Sequence, residues 1–306
     1  DAFIIDKDKR NELINDDKKS GELIKPLVRG RDIERYAVNW SELWIIIAQY
    51  ESHKYLESDY FRLFSHLLDH KRNLSARGQC TNKGGLGQHH WLELDNNPSE
   101  KYLSQFLVEK IIWKRVGSLM RFAYSNEEMY CLDSTCIATG EKIKYLTAVL
   151  NSKVGLYQLF KTSPQTGTGD QIISVQALEP LLVHYPTDAI ERKFNMLVDW
   201  ILFIKKSVES VLQGISNEIL SSTFEEVVDY MVYELYFGDH MKEKGIDVLQ
   251  FVDFPDISKM ETYEEKQDAI QKIYYWLKEK DNPIRNRILV SEVRSWIIKR
   301  INENTR

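Results

Sequence analysis

Three arginines, Arg29, Arg31 and Arg35, lie within seven residues of the segment IKPLVRGRDIERY (24–36), around Gly30 and just ahead of the apolar run LWIIIA (43–48). A guanidinium is a planar fork of donors that fits phosphate oxygens and also the O6/N7 edge of guanine. Such forks on a turn backed by a buried strand are suited to contacting nucleic acid. The alternative use is local, with Asp32 orienting Arg31 as a structural pair. Two polar, glycine-bearing segments, GQCTNKGGLGQ (78–88) and KTSPQTGTGD (161–170), offer amides, hydroxyls and a lysine each. Asn and Gln suit the adenine edge, Arg and Lys suit guanine, and glycine lets backbone approach a ligand closely. The candidate contacts are Arg29, Arg31, Arg35, Asn82, Lys83, His89, Lys114, Arg115, Arg121, Gln165, Thr166, Thr168 and Gln171. Among them Arg29 and Arg121 are assigned to phosphates. Lys83, Gln165, Thr166 and Thr168 are assigned to base edges. If Lys114 and Arg115 extend a strand they alternate faces, so at most one meets a given groove.

Catalytic constellations are absent. There is no GxxxxGK[ST] loop, and Gly167-Thr168-Gly169 is half of a dinucleotide fingerprint placed after a helix instead of a strand. His89 and His90 are adjacent, so in a strand they point apart, and Cys80 is their nearest thiol. Pro255-Asp256 with Glu264-Glu265-Lys266 imitates the pattern of metal-dependent nucleases. That site needs its acids on adjacent strands, whereas this stretch reads as a solvated helix face. No Asp/Asn-Pro-Pro-aromatic tetrapeptide and no Gly-rich cofactor loop after an N-terminal strand occur, so no cofactor is expected in this chain.

Net charge is −5 over 306 residues, a balance that argues against DNA until its distribution is considered. Residues 1–186 hold 24 acids and 24 Lys/Arg; residues 187–306 hold 22 and 17. Within the neutral part, residues 62–91 carry five Lys/Arg and four His against Asp69, and residues 101–122 carry five Lys/Arg against Glu109. Locally basic segments of this kind bind a phosphate backbone, or are ordinary solvated faces. Three cysteines without CxxC spacing fit a reduced, cytoplasmic setting. No apolar run reaches transmembrane length, and no membrane partner is expected. The charged start, which lacks an initiator Met, reads as neither signal peptide nor native N-terminus, and the chain is expected to be a fragment of a longer polypeptide.

The elements that must position these residues follow from periodicity. Residues 53–77 have helical spacing; 89–94, 109–113, 122–124, 129–138 and 181–185 read as strands. Residues 143–160 read as one helix. After Pro186 the pattern is helical throughout: 189–213, 224–237 opened by Ser221-Ser222-Thr223, 263–280 and 284–301. The expected fold class is α+β: a mixed α/β domain, 1–186, followed by an all-helical C-terminal region, 187–306.

Several segments in this order carry a resemblance. They are PLVRGRDI, EKIIWKRVGSLMRFAYSNEEMYCLDSTCIAT, YLTAVLNSKVGLYQLF and TGTGDQIISVQALEPLLVHYP. Together they resemble the TaqI-like C-terminal specificity domain, the target recognition domain of adenine-N6 DNA methyltransferases and of fused type IIG restriction-modification enzymes. The resemblance implies sequence-specific recognition of double-stranded DNA, non-catalytic in this fragment, in a bacterial or archaeal cytoplasm. The implied partners are double-stranded DNA and the methyltransferase domain of the same polypeptide. S-adenosylmethionine, and Mg where the parent also cleaves, would belong to parts outside this chain. The competing readings are a protein-interaction module whose helical half docks partner domains, and a nuclease-like region beyond residue 253.

Overall fold

The structure is a computed structural model and describes residues 2–80, 88–96 and 98–305. It packs as two compact units. The first comprises Asp1–Asp32, Trp40–Lys110 and Ser125–Thr135; the second comprises Ile33–Asn39, Ile111–Tyr124 and Cys136–Arg306. The chain does become helical near residue 187, and among the described residues no strand follows Ile172. That change does not divide the packing. Tyr145 meets Phe194 edge-on at 5.1 Å, and residues from both sides of 187 fill one core.

The first unit is built on a four-stranded sheet of order β1-β3-β2-β7. Its strands are β1 (Ile4–Asp6), β2 (Ile24–Val28), β3 (Leu43–Ile46) and β7 (Tyr130–Cys131). β1 and β2 flank β3 antiparallel, with Ile4 and Lys25 both opposite Ile45, and β7 runs parallel to β2. Side chains alternate across the pleat. Ile5, Ile24, Trp44 and Ile46 therefore share a core with Leu13 of the helix Lys7–Asp16 and Leu63 and Leu67 of Phe61–Asp69.

The strand expected at 89–94 does not form. Arg77 donates from Nη2 to the carbonyls of Trp91 (3.0 Å) and Glu93 (2.6 Å). The buried Glu93 carboxylate accepts from the backbone N–H groups of Glu51 and His90. Side chains have taken the backbone groups a ladder would use. One basic residue is likewise structural. Lys110 is fully buried, and its three ammonium donors go to the carbonyls of Phe106 (2.9 Å), Val108 (3.0 Å) and Glu127 (2.7 Å).

The second unit holds a three-stranded sheet of order β6-β4-β8 and a two-stranded ribbon, β5-β9. These strands are β4 (Lys110–Lys114), β5 (Val116–Gly117), β6 (Phe122–Ser125), β8 (Thr135–Thr139) and β9 (Gln171–Ile172). The stretch 129–138, expected as one strand, is two, belonging to different sheets. The helices Ile143–Asn151, Lys153–Thr162, Asp188–Lys206, Asn217–Lys244, Tyr263–Lys278, Pro283–Arg294 and Trp296–Glu303 contribute to the same core, the last three packing on other helices.

The helix expected over 143–160 is broken at Ser152, which caps the second half by accepting from the Gly155 N–H at 3.1 Å. Asn151, buried at the break, accepts from the Phe122 N–H and donates to the Phe122 and Thr147 carbonyls. Helix 217–244 starts earlier than the Ser221-Ser222-Thr223 signal. Ser216 caps it, while those three hydroxyls donate back to Glu218 and Ile219 carbonyls within the helix. The strand expected at 181–185 does not form. Gln158 bonds both the N–H and the carbonyl of Leu182, and the Tyr145 hydroxyl donates to the His184 carbonyl at 2.6 Å.

Asp229 supplies a pH test of this core. Complete burial pushes its carboxyl up from near 3.8 to about 6, although Arg35, Lys153 and the Lys153 N–H bond at 2.8 Å oppose the shift. The folded state therefore holds a proton that the unfolded state releases between pH 4 and 6. That contribution to stability is complete below about pH 4 and lost as pH rises through about 6, roughly 3 kcal/mol in all. Urea titrations of wild type and Asp229→Asn from pH 4 to 7.5 should show a stability difference that shifts by about that amount. Parallel profiles would remove Asp229 as the titrating group.

Candidate nucleic-acid interface

In the second unit, pairing of β5 with β9 places Val116 opposite Ile172 and Gly117 opposite Gln171. The ribbon is pinned to the sheet by the Ile173 N–H donating to the Arg115 carbonyl (2.8 Å) and the Trp113 indole donating to the Ile173 carbonyl (2.7 Å). Two segments far apart in sequence are thereby joined at residues 115–117 and 171–173: 114–121, with Lys114, Arg115 and Arg121, and 163–171, with Gln165, Thr166, Thr168 and Gln171. Lys114 and Arg115 are exposed, Arg121 is half-buried, and none forms an ion pair among the described residues. The Lys114 chain lies along Gly117, where an added Cβ would meet its Nζ at 3.5 Å.

The second segment is an ordered hairpin. Gln165 bridges Gln171, the Thr166 N–H donates to the Asp170 carbonyl (2.8 Å), and the Gly169 N–H donates to the Thr166 carbonyl (3.0 Å). Gly169 has φ +88°, a left-handed value that suits glycine. The Thr166 and Thr168 hydroxyls are 2.9 Å apart. Gln165 and Thr168 are exposed and Thr166 is half-buried. Gln171 sits at the root, 4 % exposed, and its Oε1 has no hydrogen-bond partner among the described residues. An unpaired buried acceptor costs about 1–3 kcal/mol, so this amide gains from any donor brought to the hairpin.

The remaining candidates divide differently. Arg29 and Arg31 belong to the first unit, on the turn Gly30–Asp32. Among the described residues no hydrogen bond or ion pair joins Asp32 to Arg31; the Asp32 carboxylate caps the turn by accepting from the Arg29 N–H at 2.8 Å. Burial raises the Asp32 pKa despite a bond to Ser41 and the charge of Arg31. Arg29 is half-buried with Nη2 3.3 Å from the Ser41 hydroxyl, whereas Arg31 is exposed. Arg35 lies in the second unit and donates from Nε to Glu225 at 2.7 Å. Glu225 also pairs with Lys205, so the Arg35 guanidinium belongs to a core network. His89 is 5 % exposed, with Nε2 accepting from the Asn96 N–H, and so is structural in this fold. Asn82 and Lys83 lie outside the described residues.

Sequence reasoning missed Leu119, which stands 61 % exposed between Arg115 and Arg121. Nothing in composition marks it, because its exposure depends on Met120, Phe122 and Trp113 filling the nearby core.

The nuclease-like pattern dissolves into helix caps. Asp256 accepts from the N–H and hydroxyl of Ser258, and Glu265 is the capping-box partner of Thr262. Among the described residues no group of three or more His, Cys, Asp or Glu is placed to hold a metal, and no helix is long and apolar enough to cross a membrane.

A family model described as the TaqI-like C-terminal specificity domain matches residues 25–181. Among solved structures, the type IIL restriction-modification enzyme MmeI in complex with DNA is similar in fold, with TM-score 0.50 and 10% identity over 90% of this chain. The chain spans 34% of that protein's length. No curated protein matches it.

Proposed function

The chain belongs to the TaqI-like C-terminal specificity domain family, and from that premise we propose that it recognises a specific double-stranded DNA sequence within a restriction-modification polypeptide. The observation that carries this reading is the β5–β9 pairing, which joins a segment bearing exposed cations to a rigid polar hairpin. Cations fix register on phosphates, and amides and hydroxyls on an ordered support read base edges. Lys114, Arg115 and Arg121 are assigned to phosphates; Gln165, Thr166 and Thr168 to bases, with Gln171 buried behind them at the hairpin root. Arg31 is the exposed cation of the first unit's turn, and Arg29 is half-buried with its guanidinium at the Ser41 hydroxyl. On this reading the chain is the non-catalytic reader of a longer enzyme. An adenine-N6 methyltransferase domain of the same polypeptide supplies the cofactor site and the chemistry, with any cleavage activity and its Mg also housed outside this chain. The solved neighbour's complex with DNA supports the DNA-recognition part of this reading.

Selection from randomised duplexes tests it. The chain should enrich one short motif, with binding that weakens steeply between low and physiological salt. Enrichment of no motif, or binding indifferent to salt, would overturn the reading.

A further inference from the structure

We infer that Leu119 is a specificity-determining contact that reads the C5-methyl group of a pyrimidine in the major groove, an inference that rests on the reading of the β5–β9 rim as DNA-facing. Leu119 is 61 % exposed, while its neighbours Met120 (6%), Phe122 (0%) and Trp113 (1%) are buried. The core beneath is thus closed without it, and the side chain contributes little to the fold. Its surroundings are cationic: Arg115 lies four residues before it, Arg121 two after, and the Lys114 chain runs along Gly117. Exposed apolar residues are common on this chain, and what distinguishes Leu119 is its place between Arg115 and Arg121, where an apolar group on the DNA would be within its reach.

The geometry selects that target. A two-stranded β-ribbon fits the major groove, and the apolar feature displayed there is the C5-methyl of thymine. A methylated cytosine presents the same methyl group at the same ring position. The hairpin 163–171 is joined to β5 at Val116–Gly117, two residues before Leu119, so the same stretch of chain carries both polar and methyl readout. Arg and Lys alone would leave thymine and cytosine separated only by hydrogen bonding; the leucine adds shape.

The test uses the whole chain and the duplex it selects from a randomised pool. Each thymine of that duplex is replaced in turn by deoxyuridine, and each cytosine by 5-methylcytosine. For wild type, one exchange should change affinity by about three- to tenfold, weaker when the methyl is lost or stronger when it is added. A thymine position identifies thymine as the source, and a cytosine position identifies 5-methylcytosine. Leu119→Ala and Leu119→Asn, whose thermal midpoints should match wild type because the site is exposed, should be indifferent to that exchange. The inference is overturned if wild type ignores every methyl exchange, or if both variants keep its sensitivity. It is also overturned if the variants lose affinity without methyl dependence and 2-aminopurine fluorescence reports unstacking by wild type, which would make Leu119 a wedge between bases. A wild type that selects a motif but shows no methyl effect sinks only the leucine inference. A wild type that selects no motif sinks the DNA-reading function and the inference with it.

Discussion

Gly155→Ala should destabilise the second unit by at least about 3 kcal/mol or prevent its folding. A Cβ at this position would lie 2.2 Å from the Val149 carbonyl oxygen and 3.1 Å from the Leu150 Cα and carbonyl. All three are backbone atoms of the preceding helix, so no side chain can swing aside. The helix Lys153–Thr162 would have to move, breaking the Ser152 cap and the Lys153 N–H bond to Asp229. Gly167→Ala is the matched control, because a Cβ there meets nothing within 4 Å, and it should stay within about 0.5 kcal/mol of wild type. Urea denaturation reads both. Equal midpoints for Gly155→Ala and wild type would show that the close approach of the two helices is not a constraint.

Charge reversal on the rim should act on binding and leave stability alone. Lys114→Glu with Arg115→Glu places two acids where phosphates are proposed to lie. Both residues are exposed and free of ion pairs among the described residues, so the thermal midpoint should not move. Affinity for duplex DNA should fall about 100-fold or more near 0.1 M salt. The slope of log K against log salt should shrink by about two, one for each lost phosphate contact. Reversal of the exposed Lys299 and Arg300 changes net charge equally and should reduce affinity far less. If the two pairs behave alike, binding reflects net charge and the rim has no special part in it.

What the sequence could disclose was set by distance along the chain. β4 and β6 were legible because β-branched and aromatic residues advertise strands locally. The LNSKVG segment was legible as a motif but not as a helix break, since the break depends on Asn151 reaching the Phe122 backbone. Lys110 and Lys114 are the same residue type four positions apart. One is sealed among three carbonyls and the other is exposed, and no local pattern separates them. Arg35 looked like a third finger of the arginine turn because its partner, Glu225, is 190 residues away. The strand expected at 181–185 has the right composition; it lacks a neighbour because Gln158 and Tyr145 occupy its backbone groups. The rim shows the same limit in its favour: Arg115 and Gln165–Gln171 were each candidates, but their adjacency depends on the ribbon that pairs them.

The most direct measurement of the central claim is amide hydrogen exchange of the chain with and without its selected duplex. Residues 114–121 and 163–172 should both gain protection on binding, and Lys114→Glu with Arg115→Glu should abolish that gain at equal DNA concentration. Protection confined to other segments, with both of these unchanged on saturated duplex, would contradict the assignment of the β5–β9 rim as the DNA reader.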